Sequence, residues 1–307
     1  MTIPRKGPTM GDISHISIIV SDQETHRSLP RMLQSVGRQS TGLGAVEIIV
    51  IGTGSHAPDD PTTWAAITDT GAIRLMEVTP DTPPGEALNR AVEHASGALL
   101  LFMRPDYRLD PKYLTTALSV FSEFPETDVM YADYIRIAQD KGQGLRSGLV
   151  QLPDFADSLL QTINFLGPAV MLRRSAWDRV QGFRDNTTYR FWDLWVQAAS
   201  AGCAFYHVDY PLASCELIKT PFRERAQDGR RKAMLVINNQ AYFHMHTVRW
   251  ALAYLRGDDW AQAFSFMTIP DSIEVTRMMH DHTMRSMGTD VLVREAIRQF
   301  DRTTRQA

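Results

Sequence analysis

Cysteine is scarce in this sequence: Cys203 and Cys215 are the two in 307 residues. Two are too few for the disulfide framework of a small secreted domain, and they fit a reducing cytoplasm. There is no run of about 18 apolar residues, so no membrane-spanning helix is expected. An excess of one charge is also missing. The 32 Lys and Arg stand against 35 Asp and Glu, a net charge of −3, which argues against a dedicated nucleic-acid binder. Internal repeats and low-complexity tracts are absent. Met1 to Gly11 carries Arg5 and Lys6 with no apolar stretch behind them. Residues 1–13 therefore read as a loose tail and not as a signal peptide.

What is present is globular: 44% hydrophobic and 22% charged residues, in a length that suits one large domain or one domain with an appendage. The charge divides along the chain. Residues 1–220 hold 19 basic and 25 acidic side chains, a balance of −6, while residues 221–307 hold 13 and 10, a balance of +3. Strand and helix signals alternate over 14–220, and 221–307 reads as an almost wholly helical extension.

Within 14–220, Ile16–Val20, Glu47–Ile51 and Ala98–Met103 are short apolar runs that predict buried strands, with Ile73–Val78 a weaker one. Leu29, Met32, Leu33 and Val36 share one helix face. Pro83 and Pro84 start a second helix through Ala87, Leu88, Ala91 and Ala95 that Gly97 stops. Asp110 and Pro111 open a third. Further on, the spacing predicts strands near Asp128–Ile137, Pro168–Leu172 and Ala204–Val208, a loop over Gln139–Gly148, a short helix capped by Ser175, and a helix over Phe191–Ala201. Strand–helix alternation of this kind implies an α/β fold with a mainly parallel sheet and helices on both faces. Ligands in such sheets sit beyond the carboxyl ends of the strands, which points to Ser21–Glu24, Gly52–His56 and Arg104–Arg108.

Several stretches in fixed order resemble the family 2 glycosyltransferases of GT-A fold: Glu47 to Ser55, Gly85-Glu86-Ala87-Leu88-Asn89-Arg90-Ala91, Phe102-Met103-Arg104-Pro105-Asp106, Ala169 to Ser175, Gly182-Phe183 and Trp192-Asp193-Leu194-Trp195. The resemblance spans about residues 14–215. It implies inverting transfer of a sugar from a nucleotide diphosphate sugar to an acceptor that the sequence does not identify. It implies a Mn2+ or Mg2+ ion or fixed cations on the leaving diphosphate, and a carboxylate that takes the acceptor's proton. Carried over position by position, it places the nucleotide sugar on Ser21, Gln23, Gly52, Thr53, Asn89, Arg90, Pro105 and Asp106, with Asp106 the metal ligand if a metal is used.

The chain departs from that pattern at its acids. Gly52 and Thr53 stand where the family usually has acidic residues. The family's Asp-any-Asp motif is Arg104-Pro105-Asp106 here, so the first acid is an arginine. The family's base lies in a Glu-Asp pair that aligns with Arg190-Phe191. Asp193 is the nearest remaining acid, but two residues along a helix is about 200° away from Phe191. Two readings follow: a transferase with Asp193 as base and Arg104 stabilising phosphate, or an inactive member of the fold that serves as a binding or assembly module.

Other features carry a plainer reading. Gly52-Thr53-Gly54-Ser55 lacks the lysine and spacing of a phosphate loop. His244 with His246, and His280 with His282, stand two apart, where a helix turns them to different sides. His207 reads as a core or edge histidine, and the cysteines as small buried hydrophobes. Arg223, Arg225, Arg230, Arg231 and Lys232 precede apolar residues such as Trp250, Leu255, Trp260 and Met278. That region is expected to pack on the first domain or form a homodimer, with peripheral contact to an anionic membrane at its cytoplasmic face as the alternative.

Overall fold

The computed structural model describes residues 15–21, 28–40, 46–52, 73–140, 144–216, 227–262, 264–265, 267–286 and 295. The chain forms two units, residues 1–160 with 164–220 and residues 161–163 with 221–307. No described helix is long and apolar enough to cross a membrane.

A nine-stranded sheet organises the first unit. The elements that build its first half are β1 (Ile16–Ser21), α1 (Leu29–Gly37), β2 (Val46–Gly52), β3 (Ile73–Glu77), α2 (Pro84–His94), β4 (Leu99–Met103), β5 (Tyr107–Leu109) and α3 (Tyr113–Glu123). Strands β3-β2-β1-β4 lie side by side and parallel. Ile16 is in register with Val46 and Leu99, and Val20 with Val50 and Met103. These strands are apolar at successive positions because both faces are covered. On one face Ile16, Ile18, Val20, Ile48 and Leu101 pack with Leu29, Met32, Leu33 and Val36 of α1 and with Tyr113, Leu114 and Phe121 of α3. The alternate residues Ile19, Ile49 and Leu100 are also fully buried. Helix α2, which meets β1 and β2, buries Ala87, Leu88, Ala91 and Val92. Each large side chain so buried contributes about 1.5–3 kcal/mol.

The second half of the sheet is mixed. It comprises β6 (Thr127–Asp140), β7 (Gly144–Val150), β8 (Val170–Arg173) and β9 (Ala204–Glu216), with short helices α4 (Asp157–Leu160) and α5 (Arg174–Trp177) and the longer α6 (Arg190–Ser200). Strand β8 runs antiparallel to β4 and to β6, β9 runs parallel to β6, and β5 pairs antiparallel with β9 at the sheet edge. The loop expected over Gln139–Gly148 is a hairpin, with Ala138 opposite Arg146 and Tyr134 opposite Val150. Residues 146–149 are exposed, so this stretch carries no apolar face to reveal it. Helix α3 begins at Tyr113, later than Asp110 suggested, because the Asp110 carboxylate accepts from the Lys112 amide (2.9 Å) in a turn ahead of the helix. Helix α2 ends at His94, since Ala95 is already extended and the amides of Ser96 and Gly97 bond to Glu47.

The second unit is helical, as α7 (Asp228–Asn238), α8 (Met245–Arg256), a 3-10 turn over Asp259–Gln262, and α9 (Ser272–Ser286). Trp250 is fully buried and donates to the carbonyl of Ala261 (3.0 Å). Lys232, one of the cations of the expected basic stretch, is an interior group. It pairs with Asp228 at 2.6 Å, donates to the carbonyl of Ser265 (2.8 Å) and lies 4.3 Å from the Phe264 ring. Burial pushes its ammonium below the ordinary lysine value, against the opposing pull of Asp228. Arg223 and Arg225 lie outside the described residues. His244 caps α8 by accepting from the His246 amide at 3.2 Å.

Candidate active site

From β1 the chain passes to β2 and β3 on one side and later to β4 on the other. In open α/β sheets a crevice forms outside the carboxyl ends of the strands where such connections part. A cavity of about 200 Å³ lies there. Ser21 enters from the end of β1, and Phe102, Met103 and Arg104 from the end of β4. Tyr107, Asn164, Thr188 and the α6 residues Arg190, Phe191 and Trp195 complete most of the wall. Among the described lining residues there are two guanidinium groups and no carboxylate. Burial holds the Tyr107 phenol well above its ordinary value despite the nearby Arg104 charge, so it stays protonated at neutral pH.

The turn after β4 is tightly held. The Tyr107 amide donates to the Arg104 carbonyl (3.0 Å), and the Glu216 amide of β9 donates to the Asp106 carbonyl (3.2 Å). Arg108 reaches the Pro105 carbonyl (3.2 Å) and the Glu216 carboxylate (2.9 Å). Within this frame Arg104 grips Asp106 side-on, Nε to Oδ1 at 2.9 Å and Nη2 to Oδ2 at 3.4 Å. The Asp106 side chain is 6% exposed and that of Arg104 is 37% exposed. The carboxylate is therefore inside and the cation faces the cavity.

Those residues are a poor fit to a divalent cation. Mg2+ and Mn2+ need several oxygen donors in regular geometry. Asp106 supplies the turn's one carboxylate, and both of its oxygens are engaged by Arg104. No group of three or more His, Cys, Asp or Glu side chains that could hold a metal occurs among the described residues.

No protein-family model matches the chain and no curated protein sequence does. Solved structures do. Residues 1–349 of S. aureus TarS in complex with UDP-GlcNAc align at 16% identity with a TM-score of 0.55, over 80% of this chain and 73% of that one. The same protein with UDP aligns at 17% identity and 0.53, over 82% and 72%. The mannosyltransferase PcManGT from Pyrobaculum calidifontis, in complex with GDP-Man and Mn2+, aligns at 16% identity and 0.52, over 92% and 79%. The chain has the GT-A glycosyltransferase fold.

Against the GT-A pattern, the position expected to carry the base holds Phe191. Its ring lies 5.1 Å from Phe183, 6.0 Å from Phe102 and 6.4 Å from Trp195, and both it and Arg190 line the cavity. Asp193 does not reach it. Its carboxylate has no exposure, accepts from Arg184 Nη1 (3.2 and 3.4 Å) and from Gln197 Nε2 (2.9 Å), and is absent from the cavity wall. The two-residue offset from Phe191 turns it to another side of α6. Asp193, which the sequence pattern suggested as a base, is thus a buried, paired carboxylate outside the cavity wall.

Asn89 and Arg90 are likewise absent from the cavity wall. Asn89 accepts from the Phe183 amide (2.8 Å) and donates to the Phe183 carbonyl (3.0 Å), pinning the turn around Gly182. Gly182 has φ +78°, and a Cβ there would meet Asn89 at 2.7 Å. Arg90 forms an exposed ion pair with Glu86 one turn away. Of α2, Leu88 is what lines the cavity. Gly52 ends β2 and its carbonyl accepts from Val78 (2.9 Å), but it is not in the wall. Gln23 and Thr53 lie outside the described residues. Ser21 and Arg104 line the cavity, with Asp106 paired behind Arg104.

Sequence reasoning missed Asn164, Thr188 and the place of Arg190 in the cavity wall. It also missed Asp185, whose carboxylate accepts from the amides of Gly85 (2.7 Å) and Glu86 (2.9 Å) and so caps α2 from a distance. A cap 100 residues away leaves no local signal. His207 is held between Asp133 (2.8 Å) and Asp154 (3.3 Å) and stacks on Tyr131, away from the cavity.

Proposed function

We propose that this protein is a glycosyltransferase that takes its sugar from a nucleoside diphosphate sugar bound in the β1/β4 crevice. The observation that carries the reading is the pair Arg104 and Arg190 in a cavity at the carboxyl ends of the strands of a GT-A fold. In the inverting reaction an acceptor oxygen forms a bond to the anomeric carbon from one side. The carbon–oxygen bond to the diphosphate breaks on the other, and the acceptor hydroxyl passes its proton to water, since no carboxylate is among the described lining residues. The departing diphosphate carries the negative charge, and guanidinium groups pair well with phosphate oxygens. Thr188 and Asn164 supply neutral hydrogen-bonding groups for sugar hydroxyls, and Phe191 gives the cavity an apolar wall. The acceptor is a glycan, a lipid-linked molecule or a small hydroxyl compound.

One observation favours a second reading, a non-catalytic module that binds the nucleotide sugar: Phe191, where the family resemblance leads one to expect the base, lines a cavity with no carboxylate among its described wall residues. The two are separated by incubating the protein with UDP- and GDP-sugars and measuring nucleoside diphosphate release and transferred sugar by mass. Titration calorimetry with UDP and GDP runs alongside. Turnover ends the second reading. Binding with no turnover across a panel of acceptors ends the first, and no binding at all ends both.

A further inference from the structure

We propose that the diphosphate is held without a divalent cation, Arg104 acting as the fixed counter-charge and Asp106 as its positioning residue. This rests on the nucleotide reading above.

Arg104 stands where the Asp-any-Asp pattern would place its first acid, and it uses Asp106, the second, as its anchor. A metal at Asp106 would have to displace the guanidinium from both oxygens. It would also bring a second positive charge within a few ångströms of the first, a repulsion that a partly dry site screens poorly. The exposures give the pair a direction. The nearly buried carboxylate serves the protein, and the more exposed guanidinium serves the cavity.

Arg104 is also held in advance of any ligand. Besides the two bonds to Asp106, its guanidinium lies 5.8 Å from the Tyr107 ring, and the turn beneath it is bonded to β9. A long side chain already fixed loses less rotamer freedom on binding than a mobile one. Arg190 enters the same cavity from α6, so a diphosphate has a second cation there. Asp106 thus changes from ligand of a metal to holder of the group that replaces it.

The test uses the full chain with UDP and GDP as probes, titrated by calorimetry in EDTA and in excess Mn2+. Affinity is expected to agree within about twofold between the two conditions. Arg104→Ala leaves a buried carboxylate unpaired and is liable to misfold, so the decisive variant is the double Arg104→Gln, Asp106→Asn, which removes both charges together. It is expected to melt like the parent and to lose about 10- to 100-fold in affinity in EDTA, the scale of a charged hydrogen-bonded pair. Arg104→Lys is expected to recover part of that loss by restoring the charge without the fork. Binding that requires Mn2+, or a folded double variant that binds as well as the parent, overturns the inference and leaves the nucleotide reading standing. Absence of binding in every condition overturns both.

Discussion

Replacing Asp193 by alanine separates a catalytic carboxylate from a structural one. The side chain has no exposure and takes hydrogen bonds from Arg184 and Gln197. Removing one partner of a buried ion pair typically costs about 3–5 kcal/mol. Here Arg184 keeps its bond to the Gln181 carboxamide oxygen (2.9 Å) and is 19% exposed, so its charge retains a partner and some water. That places the cost near the low end, about 3 kcal/mol. Asp193 also lies in the first turn of α6, where losing a negative charge adds about 0.3–1 kcal/mol. For a unit of roughly 200 residues, a total of about 3–4 kcal/mol lowers the melting temperature by about 6–16 °C. The assay is thermal and urea denaturation, paired with UDP and GDP affinity measured well below the transition. Stability is expected to fall by that amount and affinity to hold within about twofold. A variant that melts within about 2 °C of the parent but loses turnover would refute this reasoning and return Asp193 to the chemistry.

Two other perturbations test the scaffold. Glu47 gathers hydrogen bonds from Ser17, Ser96 and Gly97; burial pushes its carboxyl up, but those bonds outweigh it and hold the folded value below the ordinary one. Its contribution is therefore complete above about pH 4.5 and fades as pH falls through the lower folded value; Glu47→Gln should flatten the acid limb of a stability–pH curve, and an unchanged limb would contradict the assignment. In the helical unit, Lys232→Met alone removes the ammonium paired with buried Asp228 and should cost about 3–5 kcal/mol by urea denaturation. Adding Asp228→Leu should recover most of it, so a double variant as unstable as the single would show that the pair does more than neutralise itself.

Elements with a strong local pattern were legible in the residues. Leu29, Met32, Leu33 and Val36 were read as one helix face, and they are the buried residues of α1. The runs Ile16–Val20 and Glu47–Ile51 are β1 and β2, because strands buried on both faces must be apolar throughout. The mixed half was harder. Strand β7 hid because it is exposed, and β9 extends to Glu216, past Tyr210 and Pro211, residues that interrupt an apolar run. The site divides the same way. The crevice at the ends of β1 and β4 follows from strand order, so Ser21 and Arg104 could be placed. Asn89 and Asp193 could not, since both are polar residues on site-bearing helices and only tertiary geometry shows which way they point. Phe191 was aligned with the family's base position without being placed in the wall, and Arg190 beside it was not given a role.

The four hydrogen bonds that tie Asp185 and Phe183 to α2 bear on engineering. Leu88 on α2 and Thr188, Arg190 and Phe191 beyond the tie are opposite parts of one enclosure. A loop exchange that imports only the 182–191 segment from another protein would deliver new side chains on a mount that no longer fits. Residues 84–89 and 182–195 have to be transplanted as one cassette, and a chimera library cut between them should return mostly misassembled enclosures.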